Sequence, residues 1–124
     1  MTRRFLALVL PSVFAARVHA QGKGKQLSHD VFFSLKDKSG AAKLVAACNK
    51  YLKGHEGTAF FSAGVIASEF SRDVNDRDFD VSLHVVFKSK ADHDRYQEHP
   101  RHKQFIEENN ANWAKVRVFD SWVE

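Results

Sequence analysis

From Phe79 to Lys88 the chain alternates without a break. Phe79, Val81, Leu83, Val85 and Phe87 fall on one face, and Asp80, Ser82, His84, Val86 and Lys88 on the other. Side chains of a strand point to opposite faces with a period of two, so this run predicts a β-strand with one face against a core. A strand of this kind needs a sheet, and three other stretches supply one. His29–Lys36 sets His29, Val31, Phe33 and Leu35 against Asp30, Phe32, Ser34 and Lys36. Thr58–Ser68 places Phe60 and Phe61 on opposite faces, with Gly64 as a site for a bulge. Lys115–Val123 opposes Val116, Val118 and Trp122 to Arg117, Phe119 and Val123.

Between the strands the period changes. Ala41, Leu44, Val45, Cys48, Tyr51 and Leu52 recur at helical spacing after an Asp37–Gly40 turn, with Ser39 as cap and Gly54 as stop. Ser89-Lys90-Ala91-Asp92 resembles a capping box with Asp in place of Glu and opens a short helix through Gln97. Pro100 then disfavours helical geometry at His99 and suits the first turn of another helix. On that helix His102, Phe105, Ile106 and Asn109 share one side, and Trp113 closes the helical stretch.

The resulting order is β-α-β-β-α-β with a split second helix. It predicts an α+β, ferredoxin-like fold: a four-stranded antiparallel sheet with helices on one face. The other face would carry Phe32, Phe61 or its neighbours, His84, Val86 and Phe119. Two such sheets packed face to face would bury this surface, so a two-fold homodimer is expected.

The N-terminus reads as an export signal over residues 1–20. Thr2-Arg3-Arg4 is a basic start, Phe5–Ala16 an apolar run broken by Pro11, and Val18-His19-Ala20 a small-residue cleavage site. The run is shorter than the roughly 20 residues of a membrane span, so no stable span is expected after cleavage. The alternative is an uncleaved amphipathic anchor. Residues 21–27 would form a flexible lead-in and 28–124 the domain. Arg3, Arg4 and Arg17 leave with the signal, so the formal charge falls from +4 to +1. A near-neutral domain without a basic-aromatic run gives no support to nucleic-acid binding.

Other site classes are weak. Cys48 is the only cysteine, which excludes an internal disulfide, and its place on an apolar stripe suits an inert buried thiol. Arg72–Asp78 lacks the oxygen spacing, glycine and terminal glutamate of an EF-hand and reads as a solvated connection. His99 and His102 are three apart, but Pro100 breaks the helix between them and no acidic partner has ligand spacing, so no metal is expected. No axial-ligand signature marks a haem, and no cofactor is expected.

His29 opening Val-Phe-Phe-Ser-Leu-Lys, the Phe79–Phe87 strand after Arg72, and Tyr96-x-x-His99-Pro100-x-His102…Phe105 together resemble the stress-responsive A/B barrel domain family. The resemblance covers about residues 28–123. It implies ferredoxin-like subunits that pair into a dimeric α/β barrel. In a plant polyketide cyclase of the family, the catalytic His and Tyr match His102 and Tyr96, and a pocket His on the first strand matches His29. Tyr51 corresponds to a pocket tyrosine of the first helix.

The residues themselves allow a site at the same place. His29, which shares a face with Val31 and Phe33, and His102, beside Phe105, would converge on an apolar sheet–helix cleft. An imidazole with a pKa near neutrality suits removal of a proton between two carbonyls, and Tyr96 would donate to the oxygen that gathers charge. The leading expectation is an exported homodimer, periplasmic or secreted, that binds a small apolar or weakly acidic molecule. Ligand contacts would come from His29, Phe33, Tyr51 and Phe105. A cofactor-free cyclase or lyase with His102 as base and Tyr96 as donor is the alternative. A structural dimer with a filled core is the third reading, with His99 terminating the first half-helix.

Overall fold

A computed structural model describes residues 25–124. The export signal expected at 1–20 and the lead-in up to residue 24 lie outside the described residues. The first strand begins at Gln26, so the end of the expected lead-in is already sheet. The strands are β1 (Gln26–Leu35), β2 (Thr58–Val65), β3 (Val81–Phe87) and β4 (Trp113–Val123). The helices are α1 (Ala41–Tyr51), α2 (Lys90–Glu98) and α3 (Pro100–Asn109). The sheet is antiparallel with strand order β2-β3-β1-β4, the ferredoxin-like arrangement. No helix among the described residues is long and apolar enough to cross a membrane.

The alternating pattern fixes which face is covered. Directly paired residues share a face, and His29 pairs with Val85, Val31 with Leu83 and Phe33 with Val81. These six are buried against Leu44, Cys48 and Tyr51 of α1, the following Leu52, Tyr96 of α2 and Phe105 of α3. Cys48 has no solvent exposure, and burial pushes its thiol up to about 12, which leaves it unreactive. On the other face Phe32 meets Phe79 and Phe119 edge-on at 5.1 and 5.7 Å, and His84 bonds Asp30 at 2.8 Å. Phe60, opposite Val86, shares that outer face and is exposed, whereas Phe61 packs on the core.

Several local expectations are corrected. β3 starts at Val81, so Phe79 leaves the inward set and joins Phe32 outside. Asp80, expected on the polar face, is buried because its carboxylate accepts from the Leu35 N–H at 2.8 Å and from Lys38 Nζ at 3.2 Å. Ser39 does not cap α1. It donates to Asp37, which caps a 3-10 turn over Lys38–Gly40. The irregularity in β2 lies between Thr58 and Phe60, while Gly64 stays in register opposite Ser82. Trp113 opens β4 instead of ending a helix.

The break between α2 and α3 forms as the sequence predicts. Ser89 accepts from the Asp92 N–H at 3.1 Å and donates to its carboxylate at 2.8 Å. His99 is extended (φ −67°, ψ 139°), ends α2, and caps α3 by accepting from the Arg101 N–H at 3.0 Å. Pro100 takes the first helical position, where its missing N–H costs nothing. His99 is thereby committed to the backbone, and the chain turns so that the His102 ring meets that of Tyr96 edge-on.

Candidate functional site

Beneath the break is a cleft of about 170 Å³ between the sheet and the helices. His29, Val31 and Phe33 of β1 form its floor, Tyr96 of α2 and His102 and Phe105 of α3 its roof, and Val116 and Val118 of the edge strand its exposed rim. Five of the six expected site residues therefore meet: His29, Phe33, Tyr96, His102 and Phe105. Tyr51 does not. It is buried on the core side of α1 and its hydroxyl donates to Glu108 at 2.6 Å, away from the cleft. Helical periodicity places Tyr51 on the inner stripe but does not say toward which end of the sheet it leans.

The rings are close. Tyr96 and His102 stand 4.7 Å apart between centroids, and His29 lies 6.2 Å from Tyr96. His29 is held by an Nδ1 contact with Asp120 at 2.6 Å. The Tyr96 hydroxyl, His102 Nδ1 and Trp113 Nε1 are buried without a hydrogen-bond partner. Only five buried side-chain polar atoms among the described residues lack one, and the residues that carry three of them line this single cleft. An unpaired buried polar group costs about 1–3 kcal/mol, and three around one space are therefore poorly explained by packing alone.

Burial also sets the protonation of the pair. It lowers His102 to about 4, with the neighbouring His29, His55 and His93 reinforcing the shift. The near-neutral value expected from the sequence is thus replaced by that of a weak base, neutral at physiological pH. Burial raises the Tyr96 hydroxyl, which stays protonated. The residues around the cleft accordingly include a neutral imidazole and two unpaired donors, one hydroxyl and one indole N–H, among apolar side chains.

A larger hollow of about 480 Å³ lies at the other end of α3 and shares Trp113 with the cleft. Its polar groups already serve one another. Asp37 accepts from Ser39, Asn112 exchanges two bonds with the Asp37 backbone, and Glu108 accepts from Tyr51 and Gln104. These bonds hold the Asp37 and Glu108 carboxyls below their usual range. The hollow is a braced seam between the start of α1 and the end of α3 with the turn that follows it.

One cluster escapes sequence reading altogether. His29 of β1, His93 of α2 and Asp120 of β4 place ligand-type atoms within 4.8 Å of one another. Three elements bring them together, so no local spacing announces them. The register of β4 against β1, with His29 opposite Asp120, is the one signal that could have paired two of the three.

The sequence profile of the stress responsive A/B barrel domain matches residues 27–123. Among solved structures, a Dabb family protein from Mesorhizobium loti with a ferredoxin-like fold is similar with a TM-score of 0.64. The two are 20% identical over 78% of this chain and 95% of that one. A dimeric ferredoxin-like protein from Thermobifida fusca gives 0.67 at 13% identity, covering 82% and 93%. The hydroxynitrile lyase of Passiflora edulis gives 0.65 at 18% identity, covering 82% and 95%. At such identities these likenesses establish the fold. No curated protein matches the sequence.

Proposed function

The chain belongs to the stress responsive A/B barrel domain family, and on that footing we propose that its sheet–helix cleft binds a small, weakly acidic molecule. The observation that carries this reading is that Tyr96, His102 and Trp113, each with a buried polar atom left unpaired, all line one largely apolar cleft. A ligand O–H would donate to neutral His102, and its oxygen or a neighbouring carbonyl would accept from Tyr96. About 170 Å³ is below the roughly 300–1,000 Å³ of drug-sized pockets, so the occupant is a single ring or a short β-diketone rather than a long chain. Titration calorimetry with phenol and with acetylacetone tests this. Saturable one-to-one binding is expected, weakened at least tenfold in Tyr96→Phe and in His102→Leu. No binding of either probe, or equal binding in both variants, would overturn the reading.

The cyclase or lyase alternative uses the same two residues, with His102 as base. Its motivation is the short Tyr96–His102 contact and the family resemblance; the fold shared with a hydroxynitrile lyase carries no reaction across at this identity. Against it stands the low basicity of His102 in a cleft too small for a linear polyketide. Turnover of a β-keto substrate that disappears in His102→Ala, with the fold intact, would reverse this order of preference.

The assembly we propose is a homodimer through the outer sheet face. Phe32, Phe79 and Phe119 pack edge to face there, Phe60 stands exposed on the same face, and the similar Thermobifida fusca protein is described as dimeric. Sedimentation at micromolar concentration should show a dimer, and Phe119→Glu should give monomer. We place the mature protein outside the cytoplasm on the pattern of residues 1–20. The mass of the protein recovered from its native host should correspond to a chain starting at Gln21; an intact N-terminus would contradict export with cleavage.

A further inference from the structure

We propose that His29, His93 and Asp120 form a site for a divalent transition-metal ion of the zinc class. Two imidazoles and one carboxylate are a donor set that such ions take, with one position left for water or ligand. The candidate ligand atoms lie within 4.8 Å of one another. The His29 and His93 rings meet edge-on at 5.1 Å and 64°, and His29 Nδ1 contacts Asp120 Oδ1 at 2.6 Å.

The elements divide the work of holding an ion. His29 is buried in the central strand β1, between Phe87 and Tyr96, and provides the fixed point. Asp120, directly opposite it on the edge strand, has a half-exposed side chain, so its carboxylate is free to rotate. His93 sits on α2 with its ring packed against Phe87 and only 18% of the side chain exposed. Its other contacts are to the adjacent, exposed Asp94 at 3.0 Å and to the partly buried Gln97 at 3.4 Å, the second too long for a strong bond.

Ligands of one tetrahedral ion with bonds of about 2.0–2.1 Å stand roughly 3.3 Å apart. Binding therefore opens the short His29–Asp120 contact and draws His93 inward, by side-chain rotation at the two less buried members. The site adjoins the cleft through His29 alone, since His93 and Asp120 do not line it. The inference does not rest on the proposed small-molecule binding.

The probes are Zn2+ by titration calorimetry and Co2+ by its visible ligand-field absorption, added to the purified protein after treatment with chelator. One ion per chain with micromolar or tighter affinity is expected, with the Co2+ spectrum of a four- or five-coordinate nitrogen–oxygen site. His93→Gln and Asp120→Asn should each weaken binding at least tenfold. His84→Gln, which alters the comparable histidine–aspartate pair on the outer face, should leave it unchanged. Absence of saturable binding up to millimolar Zn2+ would overturn the site. So would affinity unaffected by both His93→Gln and Asp120→Asn. The two variants guard against one of them failing to fold, which circular dichroism would show.

Discussion

The hollow beside the turn into α1 and the cleft beneath the α2–α3 break both touch α3 and share Trp113, yet they treat polar groups in opposite ways. In the hollow, Asp37, Asn112 and Glu108 have found partners within the chain, Glu108 in the buried Tyr51. In the cleft, Tyr96, His102 and Trp113 retain unpaired atoms although each is a residue that readily makes hydrogen bonds. Size runs the other way, since the hollow is nearly three times larger, about 480 against 170 Å³. Volume alone would thus point to the wrong place. Polar groups that folding leaves unpaired are the better guide, because folding has accepted their cost without an internal return.

The largest expected effect concerns the wall that separates the two regions. Phe105 is 2% exposed and packs on Phe33 and Trp113 at centroid distances of 6.2 and 5.7 Å. Phe105→Ala should destabilise the fold by about 3–5 kcal/mol in chemical denaturation, through lost burial and a residual cavity. A loss below about 1 kcal/mol would mean that the cleft side of the core is already loosely packed.

A pair of hydroxyl deletions sharpens the contrast. Tyr51→Phe removes a bond to Glu108 and should lower the unfolding midpoint. Tyr96→Phe removes a buried hydroxyl with no partner and should raise stability by about 1 kcal/mol. Opposite signs for the same chemical change would mark one tyrosine as structural and the other as held for a ligand. Two losses of equal size would erase the distinction.

A further contrast is in pH dependence. His102 sits at about 4 in the folded chain, below the ordinary imidazole value of 6.5, so between these values the unfolded chain binds more protons. The stability tied to neutral His102 is complete above about pH 6.5 and is lost progressively toward about pH 4. His55, also lowered by burial, adds in the same direction. His102→Gln should flatten the midpoint-against-pH curve in that window. An unchanged slope would show that His102 is not desolvated.

Most of the frame was legible because local rules and tertiary packing agree there. The Val81–Phe87 alternation, the Ser89–Asp92 cap and the His99-Pro100 break all formed where the sequence predicts them. Phe79 and Asp80 exchanged faces because the free Leu35 N–H and the Lys38 ammonium drew the Asp80 carboxylate inward, a demand no two-residue period can display. Tyr96 and His102 were readable as a pair because they flank a proline in one short stretch. Their protonation was not, since it depends on how much of the sheet covers them. The His29–His93–Asp120 cluster was invisible for a related reason: it exists only once β4 has docked beside β1 and α2 lies across them.

On the proposed function, His102 and Tyr96 are kept unpaired for a small weakly acidic ligand. Nuclear magnetic resonance of the histidine rings, with phenol titrated at pH 7 in the presence of a chelator, tests it most directly. His102 should be neutral before addition, its ring signals should move saturably with phenol, and the response should vanish in Tyr96→Phe. His102 signals that stay still while phenol reaches millimolar concentration would contradict it.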